Sequence, residues 1–438
     1  MKNVTRSLLR TFINGVALSF VLHALPANAE TIMPMPDSWN RIIGILDFAQ
    51  PDMSEAEILL NAGNYSTVLG GLARLNDIFR VANPDINIAR YTTGFFDEYN
   101  ARPTPYPGGR EGDTPERRAR TLLWWNTEVD GTGHPDWVLY QCNRTTPAYW
   151  TYDDGTTLPN VPLDISNPAV AEWQLRTTDQ PGFSAHLTDL VSLENYYRAC
   201  GIWRGGQWVQ LFSGNPIDPA YTAAVIQWAA QIEAGLRNRR SPMGLIPNSV
   251  LLPSYRDEDI DAFLDNIDGL LDEEGFTGYG VNREYVAESV WLNKIRNMIR
   301  VQGGGIAYYL MNYVETFPPS DEELEWVLSS FLMGKAHSAY ILMTLSPALG
   351  DYGARWPHLP QYDASVGHPC GDMYSAQNVY ARDYSMGLAV ANPSRDTTYV
   401  YQRPDGYFVD INGQFVDNQI VLPPLSGKVL LTSQRRCP

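Results

Sequence analysis

The sequence predicts an α/β protein, a (β/α)8 TIM barrel followed by a small C-terminal antiparallel β domain. Three observations predict it. Eight apolar runs of strand length are separated by helix-sized segments, several of which carry apolar residues three and four apart. The order strand, helix, strand extends over about 310 residues, the range of a barrel with insertions. From Ala376 the pattern changes to short alternating runs broken by Asp405-Gly406 and Asn412-Gly413, dipeptides that favour hairpin turns because both central positions need positive φ. A doubly wound open sheet is the alternative the same alternation allows.

Taken in order, the first 29 residues have a basic start (Lys2, Arg6, Arg10), an apolar stretch from Phe12 to Leu25 and a small-x-small end at Ala27-Asn28-Ala29. This is the pattern of a secretory signal peptide, with cleavage expected after Ala29. No Cys follows for lipid attachment, and no later run reaches the 18 apolar residues of a membrane helix, so no membrane insertion is expected after cleavage. The eight strand-like runs are Arg41 to Phe48, Ile86 to Thr92, Trp137 to Cys142, Phe183 to Val191, Met243 to Leu251, Gly269 to Phe276, Gly305 to Val314 and Ala339 to Leu345. Helices are expected at Pro219 to Leu236, Asp257 to Ile267, Glu284 to Ile299 and Glu322 to Met333. Ser320 with Glu323 reads as a capping box, and Asn167-Pro168 and Asp218-Pro219 read as an N-cap followed by a first-turn proline. The expected parts are thus the signal peptide at 1–29, the barrel at 30–374 and the β domain at 375–438.

Composition narrows the partners. Lys plus Arg is 32 against 49 for Asp plus Glu, a net charge of −17. The excess of acid repels phosphate backbones, so nucleic acid is not an expected partner. Four cysteines, Cys142, Cys200, Cys370 and Cys437, follow the signal, and an even count in an exported chain predicts two disulfides. Sequence proximity favours Cys142 with Cys200 and Cys370 with Cys437, out of three connectivities. No spacing of Cys and His resembles a zinc site, and neither metal nor cofactor is expected. The sequence sets no oligomeric state.

In such a barrel the reacting groups lie where strands end and βα loops begin. Asp47 closes the first run, Asp97 and Glu98 follow the second, Asp189 lies in the fourth, Asp272, Glu273 and Glu274 in the sixth, and Glu315 after the seventh. Tyr91, Gln141, Asn143, Asn248 and Asn312 add neutral hydrogen-bonding groups. A ring of acids and amides suits sugar chemistry, because breaking a glycosidic bond takes one carboxylic acid to protonate the leaving oxygen and one carboxylate opposite it. Asp189, in an otherwise apolar run, is the expected nucleophile or base. Alternation sends Asp272 and Glu274 to one side and Glu273 to the other. Glu274 is taken as the inward general acid/base, with Asp272 as its competitor. Asp47, Tyr91, Asn143, Asn248, Asp272 and Glu315 are the expected substrate contacts. Trp124, Trp125, Trp150, Trp203 and Trp356 flank loops, where packing is the commoner role of an indole; His186 reads as a satisfied strand histidine. A G-x-S-x-G elbow is missing, and Gly303-Gly304-Gly305 lacks the Lys and Ser/Thr of a phosphate loop.

Several segments together resemble a known family. Leu163 to Val170 with Trp173, Asp189 to Asn195, Cys200-Gly201, Gly206 to Leu211, Asp268 to Thr277, Asn392 to Ser394 and Leu422 to Leu431 are similar to the uncharacterised glycoside-hydrolase-like TIM-barrel family catalogued as hypothetical glycosyl hydrolase fifteen. The resemblance implies a glycosidase-type barrel, a carbohydrate substrate and a β domain after the barrel. One departure stands out. The family tends to carry Asp-Gly-Ile and then Asp-Asn-Val at the fourth strand, where this chain has Ser184-Ala185-His186 and Asp189-Leu190-Val191. The altered strand leaves a second reading, a catalytically inactive carbohydrate-binding barrel in a cell-surface or polysaccharide-export assembly. A metal-dependent hydrolase would need convergent ligands, and His134, His186 and His337 are far apart in sequence.

Overall fold

Strands that are covered on both faces cannot show a polar side, and the eight longest parallel strands of this protein are buried almost throughout. The computed structural model describes residues 32–93, 96–97, 134–148, 161–177, 181–189, 191–278, 286–345, 355–434 and 437. The barrel strands are β1 (Gly44–Phe48), β2 (Tyr65–Gly70), β3 (Asn87–Thr93), β4 (Ala185–Asp189), β5 (Gly244–Pro247), β6 (Gly269–Asp272), β7 (Ala307–Val314) and β8 (Ala339–Leu345). Every pairing among them is parallel and β1 pairs with β8. The ring closes between β5 and β6, where Asp268 donates its N–H to Leu245 O and Ser249 donates to Leu271 O, both at 2.9 Å. The fold is a (β/α)8 barrel with a C-terminal antiparallel β region.

One barrel strand was not expected, and one expected strand lies outside the barrel. Tyr65–Gly70, with Ser66 and Thr67 at its centre, is β2, and its hydroxyl-bearing residues are buried; Ser66 Oγ donates to Gly44 O at 3.2 Å. Trp137 to Cys142 is apolar for another reason. It lies in an excursion between β3 and the next helix, where Tyr140–Gln141 pairs with Ala199–Arg204, which pairs in turn with Gln207–Gln210. An apolar run reports burial, not which sheet does the burying.

Among the described residues seven helices cover the barrel: α1 (Glu55–Asn61), α2 (Ala73–Ala82), α3 (Pro168–Thr177), α4 (Pro219–Arg237), α5 (Asp257–Leu264), α6 (Ser289–Gly303) and α7 (Asp321–Gly334). Their caps follow the sequence. Ser320 and Glu323 form a reciprocal capping box on α7, as do Ser54 and Glu57 on α1. Asp218 accepts from Ala220 N and Tyr221 N at the start of α4. Three fully buried indoles find an acceptor: Trp228 donates to Gln174 Oε1 at 2.7 Å, Trp291 to Ser330 Oγ at 2.9 Å and Trp326 to Phe276 O at 2.8 Å. After β8 the described chain resumes at Arg355. Trp356 packs against Tyr65 and Phe79, followed by the short turn Pro360–Asp363 with buried Tyr362.

The C-terminal strands are β9 (Tyr374–Ala376), β10 (Val379–Tyr384), β11 (Gly387–Asn392), β12 (Tyr399–Gln402), β13 (Val409–Asp410), β14 (Gln419–Leu422) and β15 (Ser426–Leu431). They form an antiparallel sheet in the order β9-β10-β11-β15-β13 and a separate pair β12-β14. This sheet rests on α7. Arg382, 6% exposed, donates to the carbonyls of Leu332, Met333 and Lys335 at 3.0, 3.1 and 2.8 Å, and Tyr384 OH donates to Leu332 O at 2.5 Å. These are acceptors that a helix C-terminus leaves without intrahelical partners. Lys428 of β15 pairs with Glu325 at 2.6 Å. The disulfides are Cys142–Cys200 and Cys370–Cys437. Among the described residues no helix is long and apolar enough to cross a membrane.

Candidate active site

Alternation along the strands builds the site. An apolar layer fills the barrel with Ile45, Leu69, Ala89, Leu187, Ile246, Leu271, Met311 and Leu342. Two residues further toward the C-terminal end, and so on the same inward side, lie Asp47, Tyr91, Asp189, Asn248, Glu273, Tyr313 and Thr344. The apolar plug ends in a polar ring.

Within that ring Asn248 joins two acids. Its Nδ2 donates to Asp189 Oδ1 at 2.7 Å and to Glu273 Oε2 at 2.5 Å. Sharing one nitrogen, those two oxygens are no more than 5.2 Å apart. The other oxygen of each acid takes a phenol: Tyr91 OH donates to Asp189 Oδ2, and Tyr313 OH donates to Glu273 Oε1. Tyr91 is itself steadied by Phe48, edge-on at 5.5 Å. Phe48 fits because β2 ends in Gly70, where a Cβ would meet its ring at 1.9 Å.

Burial and like charge set the protonation of the acids. Glu273 is pushed up to about 7, first by burial and then by Asp189, against the pull of Tyr313 and Asn248. Asp47 is pushed up to about 8 by burial, by Glu273 and by Asp189. Three carboxyl groups this close cannot all ionise near neutral pH. Asp189, 6% exposed, accepts from two neutral donors that favour its charged form.

Glu274 lies elsewhere. With Leu271 facing the barrel, the inward place falls to Glu273, while Asp272 and Glu274 face the helix layer. There Lys294 of α6 holds both Asp272 oxygens at 2.9 Å and approaches Glu274 Oε2 at 3.7 Å. Asp272 also accepts from Tyr308 OH at 2.8 Å and from the N–H groups of Glu274 and Gly275 at 3.1 Å. Burial pushes the Glu274 carboxyl up against the pull of Lys294. The expected orientation of Glu274 and Asp272 is thus reversed, because Leu270 and Leu271 are both apolar and leave the phase of the strand unmarked.

The remaining candidates divide. Asp47, Tyr91, Asp189 and Asn248 come together, and Glu273 and Tyr313 join them without having been singled out for the site. Asn143 is exposed, and its side chain bonds Thr145 N, Thr146 N and Thr146 Oγ1 within its own turn. Glu315 is exposed just past β7. His186 faces away from the ring with Nε2 at 3.0 Å from Thr92 Oγ1. Asn312 is buried and accepts from Phe276 N at 2.7 Å. Glu98, Trp124, Trp125 and Trp150 lie outside the described residues, as does the side chain of Asp97.

No family model matches the sequence, and no curated protein matches it. Among solved structures, the chain is similar to a GH27 β-L-arabinopyranosidase from Geobacillus stearothermophilus, at 10% identity over 92% of this chain and 97% of that one, with a TM-score of 0.47. It is similar to Eubacterium rectale Amy13B at 9% identity, over 91% of this chain and 97% of that one, with a TM-score of 0.43. To an Anoxybacillus α-amylase the identity is 11%, over 89% of this chain and 86% of that one, with a TM-score of 0.39. These three structures are of glycoside hydrolases.

Proposed function

We propose that the protein is an exported glycoside hydrolase that cleaves O-glycosidic bonds of a poly- or oligosaccharide, with Asp189 as nucleophile and Glu273 as general acid/base. The observation that carries this reading is the pair of carboxyl groups at the end of β4 and just past β6, bridged by Asn248 and no more than 5.2 Å apart at the two oxygens it bonds. Carboxyl groups about 5 to 5.5 Å apart belong to retaining hydrolysis, and separations of about 6.5 to 9.5 Å to inversion. Asp189, held by Tyr91 and Asn248, attacks the anomeric carbon. Glu273, protonated up to about pH 7, gives its proton to the leaving oxygen. It then takes a proton from the water that breaks the glycosyl–enzyme ester. Asp47, which holds its proton at neutral pH, donates to a sugar hydroxyl beside them, and Glu315 contacts substrate at the mouth. Residues 1–29 act as the export signal, 30–374 as the catalytic part and 375–438 as the β domain. Two disulfides fit an oxidising compartment outside the cytoplasm.

Reducing-sugar release from a panel of bacterial and plant polysaccharides tests this reading. Wild type is expected to release sugar with retained anomeric configuration by NMR, and Asp189→Asn and Glu273→Gln are expected to release none. Binding without release by wild type would instead support the carbohydrate-binding barrel.

A further inference from the structure

Of the tryptophans beside βα loops, Trp356 packs into the barrel wall, but Trp203 does not. It lies on the hairpin Ala199–Arg204 and Gln207–Gln210, inserted in the loop that follows β4 and so at the same barrel end as Asp189. Its side chain is 37% exposed. The ring is held nonetheless: its Nε1 donates to Arg144 O at 2.9 Å, and it meets Trp208 steeply at 5.6 Å. The Arg144 guanidinium covers Trp208 at 5.5 Å. The hairpin beneath is fixed by Cys142–Cys200, by Asn195, which bonds both N–H and C=O of Ala199 at 2.8 Å, and by Gly201, where a Cβ would lie 2.2 Å from Val209 O.

The chain between Asp189 and this hairpin carries two more rings. Tyr197 is close enough to Asp189 for that carboxylate, after burial and Tyr221, to push its phenol up. Tyr196, 68% exposed, stands edge-on to Tyr197 at 5.2 Å. A single exposed aromatic is ordinary. Here exposed rings lie on the chain that leaves a candidate nucleophile and on the disulfide-held hairpin it enters, and the orientation of Trp203 is set before anything binds, which lowers the entropic cost of binding. Pyranose rings offer apolar C–H faces of matching size, with hydroxyl edges left to water.

We infer that Tyr197, Tyr196 and Trp203 form an aromatic track for sugar units beyond the scissile bond, so that the substrate is a chain of several sugars. This rests on the glycosidase reading. The test uses starch, dextran, arabinan, xylan and mixed-linkage β-glucan, each beside its own trisaccharide. In Trp203→Ala and in Tyr196→Ala the ratio of kcat/KM on the cleaved polysaccharide to that on its trisaccharide is expected to fall about tenfold, with Trp203→Phe retaining most of it. An unchanged ratio in both alanine variants overturns the track and leaves the glycosidase reading standing. If Trp203→Ala fails to fold, Tyr196→Ala, altering an exposed loop side chain, carries the test. Should wild type release nothing, the glycosidase reading fails, and affinity gels of wild type and Trp203→Ala on the same polysaccharides decide the track. Retardation lost in the variant upholds it; equal migration, or no retardation of either, overturns it.

Discussion

Replacing Lys294 by Met would remove the cation behind the candidate acid/base. Lys294 and Asp272 have side chains only 3% and 4% exposed, and Nζ contacts both carboxylate oxygens at 2.9 Å. At that distance and an effective dielectric of about 20, the gross attraction is about 6 kcal/mol, most of it offset by the cost of taking both charges out of water. Removing one partner leaves the desolvation of the other uncompensated, which costs about 3–5 kcal/mol. Asp272 would keep Tyr308 OH and two N–H groups, so the lower half of that range is expected. With a urea slope of about 3 kcal/mol/M, the unfolding midpoint falls by about 1 M. The double variant Lys294→Met with Asp272→Asn removes the buried ion pair together, leaving only the Glu274 carboxyl there, and should recover at least half of the loss, which equilibrium urea unfolding of all four proteins measures as a double-mutant cycle. A single-variant loss under 1 kcal/mol, or a double variant no better than the single, would refute the reasoning.

Three further outcomes are expected. The kcat/KM profile should fall as pH rises through about 7, where Glu273 loses its proton; Glu274→Gln removes a carboxylate that lifts Glu273, so it should keep turnover with that limb moved to lower pH, while Glu273→Gln abolishes turnover. Asp47, Glu273 and Glu325 all hold protons in the folded state, to about 8, 7 and 7, that the unfolded chain releases near pH 4; their contribution to stability therefore declines from about pH 4 to pH 8, and Asp47→Asn should raise Tm at pH 8 but not at pH 4. Gly275→Ala should cost about 2 kcal/mol or more and most of the turnover, read by thermal unfolding and sugar release, because Gly275 has φ +51° and an added Cβ would lie 2.3 Å from Met311 O in the turn that follows Glu273.

The barrel was legible because its strands are apolar runs and its helices announce their starts, as Ser320 with Glu323 and Asp218 with Pro219 do. What failed was local. Tyr65–Gly70 hides Ser66 and Thr67 in the barrel wall, Ser66 on the backbone acceptor of Gly44, and so did not read as a strand; α1 and α2 on either side of it were missed with it. At the site, Asp47, Tyr91, Asp189 and Asn248 stood out as polar groups at the ends of apolar runs. Choosing Glu273 over Glu274 needed the phase of β6. That phase is fixed by Leu271 meeting the inward residues of neighbouring strands and by Lys294 arriving from α6, neither of which the residues of β6 record.

The grip of Arg382 and Tyr384 on the end of α7 bears on how this protein can be divided or exchanged. A cut at residue 374 would strip the carbonyls of Leu332, Met333 and Lys335 of Arg382 and that of Leu332 of Tyr384, and would leave Glu325 without its lysine. The β sheet thus serves as the missing last turn of the barrel's seventh helix. Recombination that swaps one half for a relative's must carry both sides of that contact, so the segment from α7 to β15 behaves as a single heritable block.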